Sequence, residues 1–186
     1  MATKQQQVKS LGKIMGQSRG VLVLNTGGTL NKRYDPIRGE LFVPQDNQAV
    51  ESILAVLQGN VACRIQGLLY KDSLDMNEQD RASMARAILE ADEARVLVVH
   101  GTDTMHLSAA HVAQACPKKR IVLTGAMLPY AFGVQEAAMN VALSLGWLLA
   151  DDAPGVYIGM HGLVLPYTQI AKDRQNGVFR TCLRSC

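Results

Sequence analysis

The 186-residue sequence has few aromatic side chains and no long uninterrupted apolar run. Aromatic residues make up 5% of the chain and hydrophobic residues 48%, so a folded core would consist mainly of aliphatic side chains. The longest nonpolar stretch, residues 141–150, is well short of the roughly 20 residues that a membrane-spanning helix needs. At this length we therefore expect a single globular domain with no membrane segment.

Motifs that bind metals or nucleotides are also missing. The four cysteines include no C-x-x-C pair and no histidines stand at zinc-finger spacing, which favours free thiols over a disulfide framework or a metal site. Neither a Walker A motif nor a G-x-G-x-x-G fingerprint is present, so a nucleotide site is disfavoured. Because residues 1–20 lack the apolar segment of a secretory signal, we expect a cytoplasmic protein.

An excess of charge occurs only in the first 20 residues. The whole chain has a net charge of +3, and residues 1–20 contribute four basic side chains and no acid, so residues 21–186 sum to −1. A near-neutral domain offers no broad basic surface of the kind that nucleic acids require. We predict a polar lead-in over residues 1–20, one domain over residues 21–186, and no nucleic-acid partner.

Short apolar segments alternate with amphipathic ones along the rest of the chain. This alternation predicts a doubly wound α/β domain, with a mainly parallel sheet of about five strands flanked by helices. Residues 161–186 look irregular. In such sheets a ligand binds beyond the carboxyl ends of the strands. The predicted strands are residues 21–25, 61–70, 96–99, 121–123 and 155–160, and the predicted helices are residues 46–57, 77–92, 105–115 and 132–150.

Three loops that follow strands carry hydroxyl and carboxylate groups: residues 25–29, 72–76 and 100–104. The glycine pair in the first loop lets the backbone turn sharply and bring N–H groups beside the Thr29 hydroxyl, as covalent catalysis on a carbonyl requires. Each loop also has a plainer interpretation. The first could be an ordinary turn or a phosphate cradle, the second a turn, and the third a helix cap with a structural His100.

The combination of these loops resembles the bacterial-type L-asparaginase family. Its two signature motifs match Thr-Gly-Gly-Thr at residues 26–29 and His-Gly-Thr-Asp-Thr at residues 100–104. An Asp-Ser-x-Asp-Met stretch lies between them, and the segment at residues 122–129 also resembles the family. The similarity extends over residues 21–179 and implies the family's N-terminal catalytic domain.

The resemblance also implies roles for individual residues. It makes Thr29 the nucleophile that forms an acyl-enzyme and Tyr34 the tyrosine of a flexible loop that assists it. Ser73 would hold the α-carboxylate of the substrate, while Asp103 would hold its α-ammonium group. The implied catalytic residues are Thr29, Tyr34, Thr102 and Asp103, and the implied substrate-binding residues are Gly28, Asp72, Ser73 and Gly101.

Two departures from the family pattern stand out. The family lysine that pairs with Thr102 and Asp103 is expected late in the helix before the last strand, but residues 145–150 contain no lysine. Lys172 better resembles a different basic position after the final strand, and its substitution for the missing lysine is the less favoured alternative. Full-sized relatives also carry a smaller C-terminal domain, and the sequence ends where that domain would begin. Without that domain, apolar surface that relatives bury would be exposed, so we expect a homodimer or tetramer in which the domain's own loops, or those of a neighbour, wall the pocket.

The sequence thus predicts an amidohydrolase that converts L-asparagine to L-aspartate and ammonia through a threonine acyl-enzyme, without metal or organic cofactor. Asparagine would be its small-molecule partner. The alternative is a non-catalytic module that binds asparagine or aspartate, which the missing lysine and the missing second domain favour. A third interpretation, an amidotransferase subunit that acts on acylated tRNA, shares the two motifs but is disfavoured by the near-neutral charge.

Overall fold

The computed structural model describes residues 20–182, so all of the predicted lead-in except Gly20 lies outside the described residues. Strands and helices alternate over most of this length, as the sequence pattern predicts. The strands are β1 (Val21–Gly27), β2 (Arg33–Asp35), β3 (Glu40–Phe42), β4 (Cys63–Lys71), β5 (Arg95–Val99), β6 (Arg120–Thr124), β7 (Gly155–Met160), β8 (Leu163–Pro166), β9 (Ile170–Asp173) and β10 (Val178–Thr181). The α-helices are α1 (Gln48–Ala55), α2 (Glu78–Glu90), α3 (Met105–Ala115) and α4 (Val134–Ala150).

A six-stranded sheet in the order β4-β1-β5-β6-β7-β8 forms the centre of the domain. Its first five strands are parallel, and β8 pairs antiparallel with β7 at the edge. The predicted α/β class and mainly parallel sheet are therefore confirmed, with six strands instead of about five. The sixth strand follows a two-residue turn at His161 and Gly162, whose φ angles are both positive (51° and 82°), as a tight hairpin turn requires.

Helices cover both faces of the sheet. Buried side chains of α2 and α3 pack with one face, and those of α1 and α4 pack with the other. Every residue of β1 and β6 is buried, because strands in the middle of a doubly covered sheet contact side chains on both sides. Because β4, β1 and β5 are parallel neighbours, their carboxyl ends lie at the same edge of the sheet.

The chain after β7 is more regular than predicted. Residues 161–186 look irregular in the sequence, but β8, β9 and β10 all lie there. Strands β9 and β10 form a separate antiparallel pair in which Lys172 lies opposite Phe179. Ile170 and Phe179 from this pair are buried in the main core, and they attach the hairpin to the domain.

The starts of α2 and α3 differ. Asn77 caps α2, since its side chain accepts a hydrogen bond from Asp80 N at 3.0 Å and the Asp80 carboxylate accepts one from Asn77 N at 2.9 Å. Helix α3 begins after Thr104 with no side-chain cap. The interpretation of residues 100–104 as a simple helix cap therefore fails, and the side chains of Thr102 and Asp103 bind elsewhere.

None of the helices within residues 20–182 is both long and apolar enough to cross a bilayer. Cys63, Cys116 and Cys182 are free thiols, of which Cys116 is buried and Cys182 exposed, while Cys186 lies outside the described residues.

Candidate active site

The loops after β1 and β5 pack against each other without room for a side chain. Gly27 and Gly28 end β1 with φ angles of 106° and 79°, which favour glycine. A Cβ atom added to Gly28 would lie 2.3 Å from the backbone nitrogen of Gly101, a distance that real atoms do not reach. Thr29 follows Gly28 and Thr102 follows Gly101, so the two threonines lie on adjoining segments of backbone.

The loop after β4 joins the same assembly. A Cβ atom on Gly101 would lie 2.7 Å from both Cβ and Oγ of Ser73, so the second motif packs directly on this serine. The Thr104 hydroxyl donates to the Ser73 carbonyl at 2.7 Å. The structure thus brings the three loops together as the sequence suggests. Ser73 itself is fully buried, and its assignment to the substrate's α-carboxylate stays a prediction.

Asp72, the neighbour of Ser73, is partly exposed and carries a fixed negative charge. Lys32 Nζ lies 2.6 Å from Asp72 Oδ2, and Leu74 N donates to Asp72 Oδ1 at 3.1 Å. Burial by itself raises the pKa of Asp72, but the hydrogen bonds from Lys32 and Leu74 and the positive charges of Lys32 and Lys172 outweigh it and lower that pKa. The Asp72 carboxylate is therefore ionised at neutral pH.

Two buried asparagines hold the first motif from beneath. Asn31 Nδ2 donates to the carbonyl oxygen of Gly27 at 2.7 Å and to Asn25 Oδ1 at 2.9 Å, and Asn25 Oδ1 also accepts from the Gly27 amide at 3.2 Å. Both polar groups of the Gly27 backbone are thus fixed by side chains just before the turn to Thr29. This pair was missed at the level of sequence, although an asparagine at the end of an apolar strand is a detectable signal.

The hydroxyls of Thr29 and Thr102 differ in accessibility. Thr29 begins a short 3-10 turn and is partly exposed, whereas Thr102 is 3% exposed. A group that attacks a substrate must be reachable from the pocket, and a group that relays protons can be buried. This difference is consistent with Thr29 as the attacking hydroxyl and Thr102 as its supporting partner.

Lys172 is the residue whose position was wrongly predicted from the sequence. Its Nζ donates to Thr102 Oγ1 at 2.8 Å and lies 3.0 Å from Asp103 Oδ1, so it makes the contacts expected of the lysine that residues 145–150 lack. Arg174 adds a hydrogen bond to the Asp103 carbonyl oxygen at 3.0 Å. Lys172 lies two residues after the core residue Ile170 in β9, so the two side chains face the same side of the strand, but the sequence pattern does not predict this strand.

His100 lies beneath the second motif and is fully buried. Its Nδ1 is 2.7 Å from the carbonyl oxygen of Gly101, so Nδ1 carries the proton and donates it. Burial lowers the pKa of His100 to about 4, and the imidazole is neutral at pH 7. These features favour the structural interpretation of His100 over a role as a base. Within residues 20–182, no three His, Cys, Asp or Glu side chains form a cluster that could hold a metal ion.

Tyr34 lies on β2, in the small hairpin that follows the first motif. Its side chain is 53% exposed, and its strand partner Leu41 is 45% exposed. The segment after Thr29, which looks like an irregular loop in the sequence, is therefore a two-stranded hairpin with a largely open surface. The role of Tyr34 as the residue that assists Thr29 stays a prediction.

Comparison with known proteins adds a family and a fold. Residues 20–179 match the family model described as asparaginase, N-terminal. Among curated proteins, the chain is similar to a subunit of the glutamyl-tRNA(Gln) amidotransferase of Archaeoglobus fulgidus, with 31% identity over 147 residues, and to the same subunit from Thermofilum pendens, with 31% identity over 153 residues. These matches cover 76% and 77% of this chain but 34% of each relative, so the chain spans about a third of their length.

Solved structures share the fold. The thermostable L-asparaginase from Thermococcus kodakarensis matches with a TM-score of 0.74 and 22% identity, over 89% of this chain and 52% of that protein. The probable cytoplasmic L-asparaginase from Campylobacter jejuni matches with a TM-score of 0.70 and 19% identity, over 87% of this chain and 51% of that protein. At these identities the likeness supports the architecture alone, and the chain corresponds to about half of each structure.

Proposed function

Because the chain belongs to the asparaginase family, we propose that it hydrolyses the side-chain amide of L-asparagine to L-aspartate and ammonia. The observation that carries this proposal is the contact of the Lys172 amine with both the Thr102 hydroxyl and the Asp103 carboxylate. An amine held by a carboxylate and touching a hydroxyl can move a proton to and from reacting atoms. The partly exposed Thr29 hydroxyl stands on the adjoining loop.

The proposed reaction has two steps. Thr29 Oγ bonds to the carbon of the side-chain amide while its proton moves to the departing nitrogen, and backbone N–H groups beside Thr29 stabilise the oxyanion by about 3–4 kcal/mol per well-placed donor. The carbon–nitrogen bond then breaks, which releases ammonia and leaves an aspartyl ester on Thr29. A water molecule near Thr102 and Asp103 cleaves the ester, so one amide and one water give one acid and one ammonia.

Recognition of the substrate would use the remaining polar groups of the site. The Asp103 carboxylate is 27% exposed, and it would hold the α-ammonium group that distinguishes an amino acid from a simple amide. Tyr34 would assist Thr29 when the hairpin of β2 and β3 closes over the substrate and excludes water. A homo-oligomer, in which a neighbouring copy walls the pocket, is part of the same proposal.

A non-catalytic binding module is the first competing function. Its strongest support was the apparent lack of a lysine beside Thr102, and the position of Lys172 removes that support. The Thr102 hydroxyl, the Asp103 carboxylate and the Lys172 amine, which would transfer protons in the proposed reaction, are all present. Binding of asparagine without release of ammonia would nevertheless favour the module over the enzyme.

The second competing function is suggested by the curated relatives, which are amidotransferase subunits for glutamyl-tRNA(Gln). An amidotransferase needs a source of ammonia, and the same threonine chemistry on an amide side chain would supply it. In this case ammonia release would depend on the acylated tRNA or on further protein. The net charge of −1 over residues 21–186 provides no overall electrostatic attraction for RNA, which disfavours RNA binding by this domain alone.

One assay separates these functions. Ammonia release from asparagine and from glutamine is measured on the wild type, on Thr29→Ala and on the matched control Thr168→Ala, which removes an exposed threonine outside the site. We expect turnover of asparagine by the wild type and the control, and its loss in Thr29→Ala. Full activity of Thr29→Ala contradicts the proposal, and activity that appears only after addition of glutamyl-tRNA favours the amidotransferase subunit.

A further inference from the structure

The hairpin of β9 and β10 determines where the Lys172 amine lies, and a side chain from outside the hairpin binds its backbone. His161 Nδ1 accepts a hydrogen bond at 3.1 Å from the backbone nitrogen of Phe179, the residue directly opposite Lys172. The His161 ring also meets the Phe179 ring edge to face, with 6.0 Å between the centroids. A shift of His161 would therefore be transmitted across one strand pair to Lys172.

The hydrogen bonds of His161 define its tautomer. A backbone N–H can only donate, so Nδ1, which receives the bond from Phe179, carries a lone pair. The ring proton is consequently on Nε2, which lies 3.1 Å from Glu136 Oε1 and donates to it. The two ring nitrogens thus connect a carboxylate on α4 with the backbone of β10.

Glu136 is itself fixed by the loop after β6. Its Oε1 accepts from Met127 N at 2.8 Å, and its Oε2 accepts from Leu128 N at 3.0 Å. Because both carboxylate oxygens accept hydrogen bonds from backbone N–H groups, the Glu136 side chain is held in the orientation in which it accepts the hydrogen bond from His161 Nε2. The carboxylate therefore serves as a rigid support for the ring.

The backbone of His161 is also held in place. Its φ angle is 51°, in the left-handed region that few residues other than glycine adopt, and its amide donates to Asn140 Oδ1 at 3.0 Å. Gly162, which follows in the turn, has a φ of 82°. A glycine or an asparagine would suit the conformation at position 161 as well as histidine or better. The turn alone does not explain the histidine.

We propose that Glu136 and His161 are positioning residues for Lys172. The Glu136 carboxylate orients the His161 ring, the ring holds the Phe179 amide, and the hairpin presents the Lys172 amine to Thr102 and Asp103. The inference rests on the proposed function for its effect on turnover. The hairpin geometry that it explains can be measured independently of any reaction.

Two substitutions at position 161 separate the hydrogen bond from the turn. His161→Gly keeps the left-handed backbone and removes the ring. If His161 served only the turn, this substitution would change neither kcat nor the position of Lys172. His161→Asn also tolerates that backbone, and its Oδ1 stands near the place of Nδ1 and can accept from Phe179 N. Glu136→Gln is the third variant, which tests the support of the ring.

The first readout is steady-state ammonia release from asparagine, with kcat and KM determined separately. We expect kcat of His161→Gly to fall about tenfold or more, since small displacements of a reacting group have effects of this size, while KM stays unchanged. His161→Asn should recover most of the lost kcat. Thermal unfolding of all variants is recorded, and kcat is measured at a temperature at which every variant is folded, so that a fall in kcat is separated from global unfolding.

The second readout is acylation of lysine side chains by an amine-reactive ester, quantified by peptide mass spectrometry. The Lys172 side chain is 13% exposed, and the exposed Lys118 serves as internal reference. The ratio of Lys172 to Lys118 labelling should rise about two- to tenfold in His161→Gly, the change in open population that loss of one hydrogen bond allows. It should rise less in His161→Asn and to an intermediate extent in Glu136→Gln.

An unchanged labelling ratio in His161→Gly overturns the inference, whether or not the protein turns over asparagine. If the wild type releases no ammonia but the labelling ratio rises as expected, the proposed function fails and the positioning role stands. If His161→Gly does not fold, the comparison of Glu136→Gln with the wild type decides. Equal labelling in those two proteins also overturns the inference.

Discussion

Two hairpins outside the main sheet carry candidate site residues, and they are attached to the domain in different ways. The hairpin of β9 and β10 carries Lys172, and it inserts Ile170 and Phe179 into the core at 2% and 5% exposure. The hairpin of β2 and β3 carries Tyr34, and its tip residue Ile37 is 95% exposed. One hairpin is anchored by apolar burial, and the other presents its apolar side chains to solvent.

The second hairpin is attached instead by ion pairs. Lys32 contacts Asp72 at 2.6 Å, and Arg33 contacts Asp46 through a short ion pair at its base. Partly exposed ion pairs contribute about 0–1 kcal/mol, whereas burial of one large aliphatic or aromatic side chain contributes about 1.5–3 kcal/mol. The comparison indicates a fixed amine on one hairpin and a tyrosine on a hairpin that can open and close at low cost.

The largest expected effect tests the fixed amine. Lys172→Met should reduce ammonia release from asparagine by about 10²–10⁴-fold, the usual contribution of a positioned acid or base, because Thr102 loses its proton partner. Lys118→Met, an exposed lysine at the other end of the sheet, is the matched control and should leave turnover unchanged. A larger loss in Tyr34→Phe than in Lys172→Met would reverse the ranking of the two hairpins.

A smaller effect tests the two anchors directly, with the same substitution in each hairpin. Ile170→Ala should lower the free energy of unfolding by about 2–5 kcal/mol, because it leaves a cavity in the core. Ile37→Ala should change it by less than about 0.5 kcal/mol, since the side chain is already in water. Urea unfolding of the two variants checks this, and equal losses would show that both hairpins are buried in solution.

The smallest effect concerns salt. At about 1 M salt, where the screening length is about 3 Å, amide exchange in β2 and β3 should speed up by at most about fivefold, because the ion pairs that hold this hairpin weaken. Exchange in β9 and β10 should change less, since the buried side chains of Ile170 and Phe179 anchor that hairpin in addition to the ion pair of Lys172 with Asp103. Equal acceleration in both hairpins would mean that charge, and not burial, distinguishes them.

The dependence on pH has a defined sign. The pKa of Asp72 in the folded protein is below its ordinary value, so the stabilisation from its pair with Lys32 is complete above that ordinary value. It is lost as the pH falls through the lower pKa of the folded state. Exchange in β2 and β3 should therefore increase in this acid range beyond its intrinsic rate, and Lys32→Met should weaken that dependence. An equal increase of amide exchange in Lys32→Met and in the wild type would contradict the role of the Asp72–Lys32 pair.

Much of the fold could be predicted from the sequence, because apolar strands and amphipathic helices alternate strongly up to β7. Helix α3 and strand β7 have the predicted limits, and Asn77 caps α2. Strands β8 to β10 could not be predicted because they are four residues each and, in β9 and β10, include charged side chains. Short edge strands of this kind lack a clear hydrophobic period.

The proximity of the candidate residues could be predicted where they follow strands, and it was missed for Lys172, which comes from a distant segment. The motifs at residues 26–29 and 100–104 indicated that Thr29 and Thr102 would be neighbours, and the contact of Gly28 with Gly101 brings them together. Lys172 was assigned elsewhere because it is 70 residues from Thr102, on a hairpin that the sequence did not reveal. The contact of His161 with Phe179 involves the same hairpin.

The order of the site residues along the chain has a consequence for synthesis on the ribosome. The hydroxyls and carboxylates at positions 29, 72, 102 and 103 are all translated well before Lys172. Because chains begin to fold from their N-terminal part as they emerge, the packed loops can assemble while the amine is still missing. In the nascent chain, the three packed loops would therefore precede their amine, which joins them when the hairpin of β9 and β10 has emerged.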